Sequence, residues 1–365
     1  MKVNFLLPTP GHHPVGGYKV VYEYANGLAA RGHEVTVTHQ MTKAPGGGNF
    51  RQLARYSKAR LKGDWLPTAW FKLDPRIRMH LVIECTPATL GSADALVATA
   101  WETAEVAATM PVKCGRKFYF IQHFEEWSGE RERVLATWRL PLKKIVIAEW
   151  LRQISEGQGH SAHYIPNGVD FTAFGIDVPP ESRNPHTVIM LYHSFDWKGS
   201  NDGFAALRVV KQSISDLKVI VFGVQERPQD LEPWFEFYRL PTQTLLRSLY
   251  NRAAVFLSPS WAEGWPLPPA EAMLCGTATV LTDIGGHREY GIDEQTTRFG
   301  QARAPTTLIE PLMHLLTNTS VRLDQSKAAQ VYIEKFTWDR AVNRFEEYIK
   351  KTEIDKKYPY LKEIV

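Results

Sequence analysis

The sequence predicts an α/β protein made of two parallel-sheet, Rossmann-like halves, and three observations carry that prediction. Short apolar runs of strand length recur along the chain, separated by stretches whose apolar residues fall at helical spacing. The series breaks once, at Val178-Pro179-Pro180-Glu181-Ser182-Arg183-Asn184-Pro185, and then begins again. At 365 residues the chain also exceeds one comfortable hydrophobic core, which favours two domains over a single large barrel.

The elements follow in order. Val3 to Leu7 reads as a buried strand, the Gly-rich segment to Gly17 as a loop, and Tyr18 to Ala30 as a helix with Val20, Val21, Tyr24 and Leu28 on one face. Gly32 ends that helix and Glu34 to Thr38 forms the next strand, completing one βαβ unit. Residues 41–65, with Gly46-Gly47-Gly48 and many basic groups, read as a surface loop or mobile helix. Leu81 to Glu84, Ala95 to Thr99 and Arg116 to Ile121 continue the strand series. A helix over Glu130 to Leu140, a strand at Lys144 to Ala148, a short helix from Glu149 and a turn at Pro166-Asn167-Gly168 follow. After the Pro-rich stretch come strands at Thr187 to Tyr192, Lys218 to Phe222, Val255 to Ser258 and Ala278 to Thr282. Helices are expected at Ser200 to Ser213, Gln243 to Ala253, Ala270 to Leu274 and from Thr306 onward. The predicted domains are 1–175, 186–340 and a terminal helix over 341–365.

Composition narrows the function. With 44% hydrophobic and 22% charged residues the chain is globular, and a net charge of +4 without a long basic run suits an anionic small ligand and not a nucleic acid. Three cysteines far apart, Cys85, Cys114 and Cys275, indicate neither a disulfide framework nor a zinc site, so a reducing, cytoplasmic location is expected. The apolar start before Pro8 is too short for a signal-peptide core, and no run reaches membrane-spanning length; peripheral contact with the inner face of a membrane stays open. No Gly-x-Gly-x-x-Gly follows the first strand, which speaks against a dehydrogenase.

The most informative segment is Ser260-Trp261-Ala262-Glu263-Gly264-Trp265-Pro266-Leu267-Pro268-Pro269-Ala270-Glu271-Ala272-Met273-Leu274-Cys275-Gly276. Pro268 and Pro269 fit the first positions of a helix that Gly276 closes, with Glu271 in its first turn and Glu263 in the loop before it. A helix N-terminus can hold a diphosphate while two carboxylates reach sugar hydroxyls. From spacing alone, a solvated Glu263 and a dipole-complementing Glu271 explain the pattern equally well. Gly16-Gly17 permit close approach of an anion to the backbone, or simply a turn. Lys198, just after the first strand of the second half, is either an ordinary exposed lysine or a cation that neutralises a leaving phosphate. His123 follows a strand of the first half, at the carboxyl end of the sheet where open α/β sheets bind ligands, though a lone His is more often a satisfied structural group.

The 258–289 region resembles the Glu-x7-Glu signature of retaining nucleotide-sugar glycosyltransferases of family 4, which have the GT-B fold. The likeness extends through Gly32-His33-Glu34-Val35, Asn167-Gly168-Val169-Asp170, Lys198-Gly199, Thr282-Asp283-Ile284-Gly285-Gly286-His287-Arg288-Glu289 and Phe336-Thr337-Trp338-Asp339, nearly the whole chain. It implies two Rossmann-like domains facing each other, with a C-terminal helix crossing back to the first. It also implies a retaining, metal-independent transfer of a sugar from a nucleotide-diphosphate sugar to a glycan or lipid-linked acceptor, without a cofactor. By this likeness Glu263, His123 and Lys198 are catalytic, and Gly16, Gly17, His193, Lys198, Gly264, Trp265, Leu267 and Glu271 bind the donor. The nucleotide base would be read by backbone around Arg239 to Thr242. The family's usual Arg is His193 here, and Pro266 stands where Gly is frequent. Trp101-Glu102-Thr103 and Gln122 to Trp127 resemble bacterial rhamnosyltransferases of cell-surface polysaccharide synthesis. A sugar phosphorylase or a nucleotide-sugar epimerase shares the fold, and a degenerate glycan- or nucleotide-binding subunit is the non-enzyme alternative. Trp65, Trp70, Trp127 and Trp265 could stack on sugars, though core packing is the more common use of any one of them.

Overall fold

A computed structural model describes residues 1–11, 14–41, 50–63 and 65–357. The chain forms two compact units, Met1–Gly168 with Trp338–Val365, and Val169–Thr337.

In the first unit β1 (Lys2–Leu7), β2 (Glu34–Gln40), β3 (Arg78–Val82), β4 (Ala95–Ala98), β5 (Arg116–Ile121), β6 (Lys143–Val146) and β7 (Ala162–Tyr164) form one sheet in the order β3-β2-β1-β4-β5-β6-β7. Every pairing is parallel, for example Phe5 with Val37 on one side and with Val97 on the other. The strands are near-continuous apolar runs because helices cover both faces of such a sheet. The final helix, Trp338–Lys357, belongs to this unit. Its Phe345, fully buried, packs 5.9 Å from the Phe5 ring, 5.0 Å from Tyr24 and 5.8 Å from Phe120. Burying one such side chain contributes about 2–3 kcal/mol. Polar ties reinforce the seam, with Arg31 on Asp339 at 2.6 Å and His33 on Glu346 at 3.0 Å.

The second unit repeats the plan with β8 (Thr187–Tyr192), β9 (Lys218–Gly223), β10 (Phe235–Arg239), β11 (Val255–Ser258), β12 (Ala278–Thr282) and β13 (Arg298–Gly300), ordered β10-β9-β8-β11-β12-β13. Its core gathers Val188, Met190, Leu207, Val221, Leu257 and Val280 between sheet and helices. In both sheets the strand order reverses beside the first strand, between β1 and β4 and between β8 and β11. Loops leaving the carboxyl ends of those strands flank the place where open α/β sheets take ligands.

The structure departs from the sequence reading in several places. The first helix begins at Gly16, so Gly16 and Gly17 are its opening residues and not the end of a loop. The strand expected at Leu81 to Glu84 is Arg78–Val82. Within 41–65, residues 50–62 are helical, and 42–49 and 64 lie outside the described residues. The Pro-rich stretch contains a 3-10 turn at Pro180–Ser182 and is tied to its own unit by Arg183, which donates to the carbonyls of Val178, Ala253 and Cys275. The helix carrying Glu271 starts at Leu267, which puts Glu271 just past the first turn and not within it.

Candidate functional site

The second unit assembles most of the candidate residues beyond the carboxyl ends of its central strands, β8 and β11. β8 runs into His193, a 3-10 turn at Asp196–Lys198, and Gly199. Gly199 has φ +62°, and a Cβ there would collide with the Pro259 carbonyl oxygen. Glycine is therefore required, and the tight approach brings Lys198 beside the loop that leaves β11. Trp261 N–H donates to the Trp197 carbonyl at 2.7 Å, stitching the two loops together.

Lys198 Nζ lies 2.8 Å from both carboxylate oxygens of Glu263. Ser260 Oγ donates to Glu263 Oε1 at 2.9 Å. The two charged side chains are 24% and 11% exposed, enclosed enough for the pair to be weakly screened. The Glu263 backbone is fixed from below by Gly286, where a Cβ would run into the Glu263 carbonyl.

Glu271 is buried, and the Tyr250 hydroxyl donates to its Oε2 at 3.3 Å. The helix that carries it, Leu267–Leu274, ends in a Schellman closure: Gly276 has φ +74°, Thr277 N–H reaches the Ala272 carbonyl at 3.0 Å and Gly276 N–H the Met273 carbonyl at 3.0 Å. Its start is pinned by the Tyr290 hydroxyl, which donates to the Pro266 carbonyl at 2.7 Å. Gly264 and Leu267 are buried beside it. The Trp265 indole packs against Tyr290 at 4.9 Å and Phe336 at 5.6 Å and is 4% exposed. Its ring is core, which leaves the backbone as the part able to meet a ligand.

His193 Nδ1 accepts the Phe195 N–H at 3.1 Å, which places the ring proton on Nε2; Gln225 Nε2 lies 3.3 Å away, and turning the Gln225 amide over presents its oxygen as the acceptor of that proton. Burial lowers its pKa to about 4, with Lys198 pushing the same way and Glu263 opposing. At neutral pH His193 therefore offers an N–H and not a charge, unlike an arginine. His287, fully buried, donates from Nδ1 to the Thr282 carbonyl at 2.7 Å and accepts at Nε2 from Ser258 Oγ at 3.0 Å. It thereby ties the ends of β11 and β12 together, and burial lowers its pKa to about 4. At the end of β10, Leu240 adopts φ 46°, a strained left-handed conformation, within the backbone expected to read the base.

The first unit holds the remaining candidates. Gly16 and Gly17 open a 15-residue helix whose N-cap, Val15, has no side-chain cap. The nearest side chain to Gly17 is Gln122, whose Oε1 would stand 3.5 Å from an added Cβ. His123 donates from Nδ1 to the Phe124 carbonyl at 3.1 Å and packs edge-on to Trp127 at 4.4 Å and Trp150 at 5.5 Å. Close by, Glu125 Oε2 accepts the Trp101 N–H at 2.8 Å. Burial pushes the Glu125 carboxyl up to about 8, Glu102 adding to the rise and the Trp101 N–H opposing it.

Ser260, Tyr250, Gln225, Gly286, His287 and Glu125 were not anticipated as site residues. Ser260, Gly286 and His287 lie inside the 258–289 segment and Glu125 inside Gln122 to Trp127, whereas Tyr250 and Gln225 take their places through contacts with residues 21 and 32 positions away, Glu271 and His193.

Residues 176–332 match the family model described as Glycosyl transferases group 1. The chain is similar to a D-inositol 3-phosphate glycosyltransferase of Paenarthrobacter aurescens, 30% identical over 95 residues, covering 26% of this chain and 23% of that protein. A second, from Corynebacterium diphtheriae, is 29% identical over 124 residues, covering 34% of this chain and 27% of that protein. The chain thus spans about a quarter of the length of the curated relatives it matches. Among solved structures, a sucrose-phosphate synthase from Thermosynechococcus elongatus superposes with TM-score 0.75 at 13% identity, covering 96% of this chain and 98% of that one. HepE of Anabaena in complex with UDP-glucose does so with TM-score 0.73 at 16% identity, covering 96% and 100%. These structural likenesses are of fold: two Rossmann-like units of the GT-B class with the terminal helix returned to the first.

Proposed function

We propose that the chain is a retaining, metal-independent glycosyltransferase of family 4 type that moves a sugar from a nucleotide-diphosphate sugar to a glycan or lipid-linked acceptor. The observation that carries the reading is the Lys198–Glu263 pair at the reversal point of the second sheet, eight positions before Glu271, inside the segment that matches the glycosyltransferase model. The UDP-glucose complex of a protein with the same fold supports a nucleotide-sugar as the donor.

In this reading the donor diphosphate draws the Lys198 ammonium, and Glu263, released from the pair, accepts hydrogen bonds from hydroxyls of the transferred sugar. Glu271, held by Tyr250, takes the ribose hydroxyls, and His193 gives a neutral N–H to the phosphate in place of a second cation. By the family resemblance His123 is assigned to the donor sugar or the acceptor, and Gly16 and Gly17 to the donor. The anomeric C–O bond to the β-phosphate breaks, the acceptor oxygen bonds to the same face of that carbon, and the leaving phosphate oxygen takes the acceptor's proton. The products are a glycoside and a nucleoside diphosphate, and no cofactor enters the balance. Resemblance to bacterial rhamnosyltransferases at Trp101-Glu102-Thr103 supports a role in cell-surface polysaccharide synthesis, in the cytoplasm and at the inner face of the membrane.

A panel of UDP-, GDP-, dTDP- and ADP-sugars, read by ligand-induced thermal shift and by sugar release, tests the reading. One nucleotide class should stabilise the protein, Glu271→Ala should weaken that shift, and Glu263→Ala should abolish turnover. Binding without turnover, even with added acceptors, would instead favour a degenerate nucleotide-binding subunit. C2 inversion or phosphate-dependent cleavage would favour an epimerase or a phosphorylase.

A further inference from the structure

We infer that the helix Phe50–Lys62, on the edge of the first unit, is a membrane-surface element that binds anionic phospholipid headgroups. Its sequence, FRQLARYSKARLK, contains no Asp or Glu. The helix packs against β3, the outermost strand, and only Tyr56 and Ala59 among its described side chains are half-buried. Its other described side chains are exposed.

That outward surface is sorted into two rows. Leu53, Ser57 and Leu61 recur every four residues and so share one stripe. Leu53 is 47% exposed and Leu61 89% exposed, an apolar stripe turned away from the core and not into it. Arg55, Lys58 and Lys62, at i, i+3 and i+7, form a second row beside it, all exposed. Arg60 borders the stripe on the other side, its guanidinium 5.8 Å over the Tyr56 ring and 3.0 Å from the Tyr56 hydroxyl. Among the described residues no carboxylate pairs with Arg55, Lys58 or Lys62.

A solvated helix face explains the cations but not two outward leucines on the same stripe. An apolar stripe flanked by cations is what a helix lying in the headgroup plane presents. The charge complement is an anionic lipid surface, to which each nearby Lys or Arg adds attraction. The inference extends the proposed membrane-side acceptor to a specific surface, yet the binding it describes needs neither nucleotide nor sugar.

The full chain is sedimented with phosphatidylcholine vesicles and with vesicles of phosphatidylcholine and phosphatidylglycerol, without donor or acceptor. Binding is expected to the anionic vesicles alone, and to vanish at about 1 M salt, where charge is screened within about 3 Å. Arg55→Glu with Lys58→Glu should lower partitioning by at least ~25-fold, about 5-fold for each cation removed. Leu53→Ser with Leu61→Ser should lower it several-fold while thermal stability and nucleotide binding stay unchanged, because both side chains are exposed. Equal binding to neutral vesicles, or no binding to either, overturns the inference. So does retention of the leucine variants at wild-type level, which would mean adsorption to any polyanion, as heparin binding would also report. A failed transferase assay leaves these readings untouched.

Discussion

His287 gives the sharpest quantitative test of how the second unit is held together. Its ring is fully buried and neutral, joined to Thr282 and Ser258, and its pKa falls from 6.5 to about 4 because burial penalises the charged form. With the folded value below the unfolded one, the unfolded chain binds the extra proton first. The stability that His287 contributes is complete above the unfolded value and is lost as pH falls through the window from 6.5 to about 4. Linkage then sets the loss between about pH 7.5 and about pH 5 at ~2 kcal/mol for this one group. For a unit of this size that is a fall of roughly 4–8 °C in Tm. His287→Gln keeps an amide able to donate and accept but removes the titration. Thermal unfolding of both proteins across that pH range isolates the histidine, since every other titrating group is shared. The variant should be less stable at neutral pH and should close the gap by ~2 kcal/mol on acidification. Parallel pH profiles for the two proteins would refute the buried, neutral ring.

Four further outcomes follow from the same geometry. Glu263→Gln and Lys198→Met should each lower kcat by ~100-fold or more, because each removes a charged contact at the reacting centre; initial-rate kinetics with saturating donor reads this. Glu271→Gln should raise the Kd for the nucleotide by about 10-fold with little effect on melting, measured by calorimetry. Gly199→Ala should cost about 2–4 kcal/mol in denaturant unfolding, from a left-handed backbone and the collision with Pro259. Gly286→Ala should push the Glu263 backbone out of place, lowering turnover more than nucleotide affinity, so kcat and KM should separate in steady-state kinetics.

Much of this architecture was legible because buried parallel strands are uninterrupted apolar runs. Phe5, Val97, Phe120, Met190 and Leu257 announce their strands without help from tertiary context. The strands that escaped notice, Ala162–Tyr164, Phe235–Arg239 and Arg298–Gly300, are all short or partly exposed and lie at or near the sheet edges. Edge strands need less apolar surface, so their composition resembles a loop. The helix start at Gly16 was hidden because glycine has poor helix propensity, and tertiary placement beside Gln122 overrides it. Glu271 was expected in the first turn because the prolines mark a beginning, but Leu267 already has a place in the helix.

The candidate site was legible in part. Glu263, Lys198 and Glu271 stand out because charge sits beside Gly and Pro at a helix start, and the structure brings Lys198 and Glu263 together across 65 positions. Nothing local marks Tyr250 or Gln225, since their roles come from which strand ends lie side by side. Trp265 takes the commoner of the two uses weighed for a motif tryptophan, its ring packed on Tyr290 and Phe336.

The central claim is that the second unit holds a nucleotide-diphosphate sugar through Lys198, Glu263 and Glu271. Calorimetric titration of UDP, GDP, dTDP and ADP into the wild-type chain and into Lys198→Met tests it most directly. The account predicts saturable binding of one nucleoside diphosphate, weakened by about 10-fold or more when the ammonium is removed. No binding of any of the four, or equal affinity in the two proteins, would contradict it.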